Sequence, residues 1–175
     1  MPKTILLLRH AKSAWSDPRL EDHERPLNRR GEQAAKAMAD HIARREPRPE
    51  LILCSTAIRT RQTLAPLVKL LDAPAPPIAL EKGLYLASED LLLARLRSVA
   101  DEVATVLLIG HNDGIWHLAE GLAGSGPADT LAALREKYPT GALATLRAPD
   151  GPWRDLAWGS AELVAFVRPR DLAVT

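Results

Sequence analysis

Cysteine is nearly absent from this chain: Cys54 is the single one in 175 residues. No intrachain disulfide can form, which fits a reducing compartment. Charge of one sign is not in excess either, with 23 Lys and Arg against 22 Asp and Glu and a net charge of +1. That balance gives no bulk attraction to nucleic acid or to a membrane surface, so any basic site must come from local clustering. Aromatic residues make up only 4% of the chain, too few for a platform on which bases would stack. Long apolar runs are missing as well. The aliphatic stretch before Arg9 is too short for the core of a signal peptide, and no segment approaches membrane-spanning length. A soluble cytoplasmic protein, with neither nucleic acid nor membrane as partner, is the expectation.

With 46% hydrophobic and 26% charged residues, the composition is that of a globular protein, and residues 1–175 are expected to form a single domain. Leu51–Cys54, Val103–Gly110 and the opening run Thr4–Leu8 are aliphatic stretches that read as strands buried on both faces. Between them, apolar residues recur at helical spacing. One helix starts after an Asn28 N-cap and ends before Pro47 and Pro49, a second spans about Ala57 to Leu71, and a third runs from Glu89 to Val99 behind Ser88. Ile78–Leu80 is a further strand, Ile115–Leu122 and Ala128–Tyr138 are helices, and 141–146 and 163–167 form a candidate antiparallel pair. Ala11–Arg25 is a long polar loop, and Gly124–Pro127 is also read as loop. Alternation of this kind predicts an α/β fold with a mostly parallel sheet.

Three of the strands end alike. The first runs into Arg9 and His10, the second into Ser55 with Arg59 one turn into the next helix, and the third into Gly110, His111 and Asn112. In a parallel sheet these ends share one edge, where open α/β folds bind their ligands. Cationic and titratable groups gathered there would repel one another unless an anion sits among them. Arginine presents a fixed fork of donors that fits phosphate oxygens and never loses its charge. A neutral imidazole can attack phosphorus with one nitrogen while the other donates to a fixed acceptor. Arg9, His10, Arg59 and His111 are therefore the candidate phosphoryl site, with His10 as nucleophile and the other three stabilising the transferring oxygens.

The same residues resemble a known family. Leu8-Arg9-His10-Ala11-Lys12-Ser13-Ala14-Trp15 resembles the opening motif of the histidine phosphatase superfamily, in the form found in its SixA-like phosphohistidine phosphatases. Arg25-Pro26-Leu27-Asn28-x-x-Gly31 and Ser55-Thr56-Ala57-Ile58-Arg59-Thr60-Arg61-Gln62-Thr63 are similar to two further motifs of that branch, with Thr60 in place of alanine. Ile109-Gly110-His111-Asn112-Asp113-Gly114 is similar to a fourth, with Asp113 in place of proline. The resemblance implies a three-layer α/β/α sandwich around a mostly parallel sheet of about six strands, as in phosphoglycerate mutase-like proteins. It implies His10 as covalent nucleophile, Arg9, Arg59 and His111 as phosphoryl ligands, and no metal or organic cofactor.

One departure bears on the substrate. Many members carry a carboxylate proton donor in a Leu-x-Glu segment after the third strand, and the matching stretch here is Leu84-Tyr85-Leu86. An alkoxide leaving group needs a proton from a general acid, whereas imidazole, with a free pKa of about 6.5, needs much less help. The expectation is a phosphatase acting on phosphohistidine of a protein, as a monomer or weak dimer. A phosphomonoesterase or pyrophosphatase for small compounds is the alternative, with Glu81, Glu89 or Asp113 as the acid. A phospho-binding module without turnover is a third. Lys12 either lines the pocket mouth or is a solvated loop residue, and Arg25 either reaches the site or holds the loop. His23, His41 and His117 are read as surface or structural, and Trp15, Trp116, Trp153 and Trp158 as packing residues, with Trp15 alternatively lining the substrate pocket.

Overall fold

The computed structural model describes residues 2–172, and a single seven-stranded sheet runs through it. In chain order the elements are β1 (Lys3–Arg9), α1 (Arg29–Ala43), β2 (Leu51–Ser55), α2 (Ile58–Leu70), β3 (Ile78–Glu81), α3 (Glu89–Arg97), β4 (Thr105–Gly110), α4 (Gly114–Leu122), β5 (Ala123–Ser125), α5 (Ala128–Glu136), β6 (Leu143–Ala148), β7 (Ala161–Val167) and α6 (Pro169–Leu172). The strand order is β3-β2-β4-β1-β6-β7-β5. β6 pairs antiparallel with both β1 and β7, and every other pairing is parallel. The expected antiparallel pair is thus β6 and β7. The seventh strand is β5, three residues of which Gly124 and Ser125 fall in the segment read as loop. Gly124 and the Gly126-Pro127 that follows mask its strand character, and only pairing with β7 makes it one.

Alternation along the central strands explains the three layers. Ile5 and Leu7 of β1, with Val106 and Leu108 of β4, pack against Leu92 and Leu96 of α3 and Ile115 and Leu118 of α4. Their neighbours Leu6, Leu8, Leu107 and Ile109 face the other way, onto Met38 and Ile42 of α1 and Leu64 and Leu67 of α2. A strand with a helix layer on each face has no solvent side, so its sequence is aliphatic without a polar alternate. The helix starts follow local rules: the Asn28 side chain accepts from the Gly31 N–H at 2.8 Å, a cap of the kind worth about 1 kcal/mol. Ser88 does the same for the N–H of Leu91.

Register decides what meets at the sheet edge. Arg9 lies beside Gly110, and Cys54 beside Ile109. The residues that follow β1, β2 and β4 therefore emerge together at the carboxyl edge of the sheet.

Candidate active site

His10 leaves β1 with its backbone N–H bonded to the Gly110 carbonyl at 3.1 Å, so the end of β4 fixes its position. Its Nδ1 lies 2.7 Å from the carbonyl oxygen of Ala11. A carbonyl only accepts, so Nδ1 carries the proton and Nε2 presents a lone pair. Facing that lone pair is Arg59, whose Nε is 3.4 Å away. Burial, reinforced by the charges of Arg9, Arg59 and Arg25, pushes the His10 pKa down to about 3 despite the bond to Ala11. At neutral pH the ring is uncharged.

His111 follows β4, with its ring centroid 5.3 Å from that of His10. Its Nε2 lies 2.8 Å from the Ser55 hydroxyl at the end of β2, and its buried Nδ1 has no partner. Burial, then the proximity of His10 and Arg59, lowers its pKa to about 3 as well. Arg9 is aimed by the backbone of Tyr138, whose carbonyl accepts from Arg9 Nη1 at 2.8 Å and from Asn112 Nδ2 at 3.0 Å. Tyr138 is itself pinned: its hydroxyl donates to Leu7 O at 2.6 Å and accepts from Ala144 N at 3.1 Å, tying β1 to β6. Arg9 Nε is left buried and unpartnered.

The four residues singled out from the sequence thus meet in one place. They line a pocket of about 410 Å³ together with Lys12, Trp15, Arg25, Leu86 and Asn112. Arg25 does both things left open for it. It ion-pairs with Asp22 at 3.1 Å, and it turns buried, unpartnered Nε and Nη1 groups toward this region. Lys12 lines the mouth while remaining exposed. Of the two readings of Trp15, pocket lining holds and core packing does not, since it lines the pocket, is 76% exposed and stacks on the Arg25 guanidinium at 3.2 Å. Trp158 is also 44% exposed, whereas Trp153 is buried.

Sequence reasoning missed Asp22. Arg59 donates through Nη1 to the Asp22 carbonyl at 2.6 Å and through Nη2 to its carboxylate at 2.8 Å. The same carboxylate accepts from the Tyr85 hydroxyl and pairs with Arg25. Burial raises the Asp22 pKa, but the bonds from Tyr85 and Arg59 outweigh it and hold the group at about 2. Asp22 stays ionised and fixes Arg59 so that Nε points at His10. The charged run Glu21–Arg25 was the available signal, but nothing local distinguishes Asp22 from its neighbours.

The motif residues around these groups are structural. Thr63 Oγ1 accepts from the N–H of Ala11 at 3.0 Å, and Gln62 Oε1 from that of Leu27 at 2.8 Å, so α2 holds both ends of the long loop. A Cβ on Gly31 would overlap the carbonyl oxygen of Lys12, so α1 approaches the loop backbone as only glycine permits. Two of the proposed substitute acids stand apart, and the third, Asp113, lies near enough to Arg9 to favour its charged form without lining the pocket. Glu81 is held by Arg95 at 2.8 and 2.9 Å, Glu89 lies 3.5 Å from His117, and Asp113 is exposed. Among the described residues no carboxylate lines the pocket, and Leu86 lines it where the acid is missing.

The model of the histidine phosphatase superfamily (branch 1) matches residues 5–85. A Mycobacterium tuberculosis protein of uncharacterised function is 39% identical over 165 residues, covering 93% of this chain and all of the relative. Two solved structures share the fold across their length. One, from Nakamurella multipartitia and provisionally named phosphohistidine phosphatase SixA, is 30% identical with a TM-score of 0.82, covering 97% of each chain. Another, from Agrobacterium tumefaciens under the same provisional name, is 34% identical with a TM-score of 0.81, covering 97% of this chain and 99% of that one.

Proposed function

Since this chain belongs to the histidine phosphatase superfamily, in its SixA-like branch, and is therefore a phosphatase, we propose that it removes phosphoryl groups from histidine on a protein. His10 is the nucleophile, and Arg9, Arg59 and His111 are the phosphoryl ligands, with Arg25 beside them. The Nε2 lone pair of His10 attacks phosphorus, and a P–N bond forms as the P–N bond to the substrate imidazole breaks. The leaving nitrogen keeps the electron pair. Nδ1 of His10 remains protonated against the Ala11 carbonyl, so the ring enters the reaction in the tautomer that can attack. Water then attacks the phosphorus of phosphorylated His10, a P–O bond forms as the P–N bond breaks, the electron pair returns to Nε2, and inorganic phosphate leaves with the water's oxygen. Orphaned donors on Arg9 and Arg25 are available to the transferring oxygens, whose charge is the main thing to be stabilised.

The observation that carries the substrate class is the pocket's lining. Among the described residues it holds no carboxylic acid, and the nearby Asp22, ionised down to a pH of about 2, has no proton to give. An alkoxide would leave unassisted there, whereas an imidazole leaves readily. A soluble cytoplasmic location is part of the same proposal.

The test is a panel of phosphohistidine peptide, phosphoramidate, p-nitrophenyl phosphate and sugar phosphates. Wild-type protein turns over the two phosphoramidates about a hundredfold or more faster than the esters, and His10→Ala abolishes all of it. Equal rates on sugar phosphates would shift the assignment to a small-molecule esterase. Residual phosphohistidine hydrolysis by the alanine variant would remove His10 as nucleophile.

A further inference from the structure

The depression that holds His10 has a larger neighbour. A second, of about 690 Å³, lies between α1, the end of α5, the 139–140 segment and α6, and shares Lys12, Lys137, Pro139 and Thr140 with the first. The two therefore join at Lys12 and Lys137 to form one groove leading away from the reacting nitrogen.

Its charge is not that of the protein. Lys12, Arg30, Lys137, Arg168 and Arg170 line it against Glu136 as the single carboxylate, in a chain whose net charge is only +1. Elsewhere on the surface, Arg19, Arg44, Arg48, Arg95, Arg147 and Arg154 each have a carboxylate within 4.0 Å, while Arg29, Lys36, Arg45, Arg61 and Lys69 have no ion pair among the described residues, so what sets the groove apart is five cations against one carboxylate in one concavity. Within the groove Arg168 pairs with Asp171 at 3.1 Å, and none of the other four cations has an ion-paired carboxylate among the described residues. Unpaired cations gathered in a concavity raise the local concentration of anions and steer them in. The floor between them is small and apolar, formed by Ala34, Ala37 and Pro139. The walls are set by backbone as well as side chains. α1 is locked against the Lys12 carbonyl at Gly31, and a Cβ on Gly141, which has a φ of +79°, would strike the Pro169 ring at 2.8 Å. The groove is pre-formed.

A phosphoryl group held beside His10 does not reach the second depression. We propose that the second half of the groove is the docking surface for an acidic stretch of polypeptide flanking the phosphohistidine. Its carboxylates would meet Arg30, Lys137 and Arg170 while its backbone lies over the alanine and proline floor. The proposal rests on the protein-phosphohistidine reading above and adds to it the sign of the partner's charge and the side of His10 on which it lies.

The test uses two phosphohistidine peptides of equal length, one flanked by Asp and Glu and the other by Ser and Gln, with phosphoramidate as a substrate too small to reach the groove. At low salt the acidic peptide has a KM about tenfold lower than the neutral one, and the difference collapses near 1 M salt, where the screening length is about 3 Å. The double variant Arg30→Glu/Arg170→Glu loses the preference for the acidic peptide and hydrolyses phosphoramidate as wild type does, which also shows that it folds. Equal KM values for the two peptides, or a preference that survives in the double variant, would overturn the groove and leave the phosphohistidine assignment standing. Turnover of phosphoramidate with neither peptide hydrolysed would overturn both.

Discussion

The two halves of the groove use positive charge in opposite ways. Around His10 the cations are buried and fixed. Arg9 hangs from the Tyr138 carbonyl, Arg59 is clamped by Asp22, and Arg25 lies between Asp22 and Trp15. Toward α1 and α6 the lysines and arginines are mostly exposed and free of ion pairs among the described residues. Buried, aimed donors act where charge develops during the reaction, because they need no reorganisation as it forms. Exposed, mobile cations act earlier, on encounter and selection, and salt screens them. On the proposals above, the difference would separate chemistry from recognition across two adjoining depressions.

The sharpest way to break this contrast is at Arg59. Replacing it with alanine removes the side chain that donates toward His10 Nε2, and kcat falls about 10²–10³-fold on every substrate, phosphoramidate included. A loss confined to acidic peptides would place Arg59 with the docking cations instead, and steady-state kinetics on both substrate types decides.

The buried half also carries a pH signature. His10 and His111 have folded pKa values of about 3, below the 6.5 of an unfolded histidine. Between pH 6.5 and 3 the unfolded chain therefore binds protons that the native chain refuses, and stability falls as pH falls. Above pH 6.5 this contribution is fully present. From pH 7 to 5.5 the two rings together account for a loss of about 2.5 kcal/mol, and His10→Gln cuts that loss by about half. Urea unfolding of both proteins at the two pH values measures it. An unchanged difference would mean that His10 is solvated and titrates normally.

Asp22 gives a smaller effect, between the two halves. Asp22→Asn keeps the shape but weakens the clamp on Arg59 and Arg25, raising KM about tenfold for all substrates with a smaller change in kcat. Asp22→Glu restores part of it. Because the carboxylate is partly exposed, solvent screens much of its pairing, so thermal stability changes little. A large drop in Tm with unchanged KM would make Asp22 a fold residue and not a positioning one.

Much of the fold, and the convergence of the four candidate side chains, was legible in the sequence. β1, β2 and β4 are aliphatic because both their faces are covered, and each ends abruptly in residues that carry chemistry. β5 was not legible, since Ala123, Gly124 and Ser125 carry no strand signal and their pairing partner lies some forty residues on. Nor was the exposure of Trp15, because composition favours burying an indole and only the position of Arg25 holds this one at the rim.

The sequence by itself therefore determined which strands are central, which edge they share and which four side chains meet there. Hydrophobic periodicity and the abrupt ends of buried strands are local properties of the chain. Only the tertiary structure decided how those side chains are aimed. Arg9 answers to a backbone carbonyl 129 residues away, and Arg59 to a carboxylate 37 residues earlier. A carbonyl carries no residue identity to read, and one aspartate in a charged run looks like the next. The cationic groove was hidden for the same reason, because its residues come from four separate segments and become a surface only when α1, α5 and α6 are brought side by side.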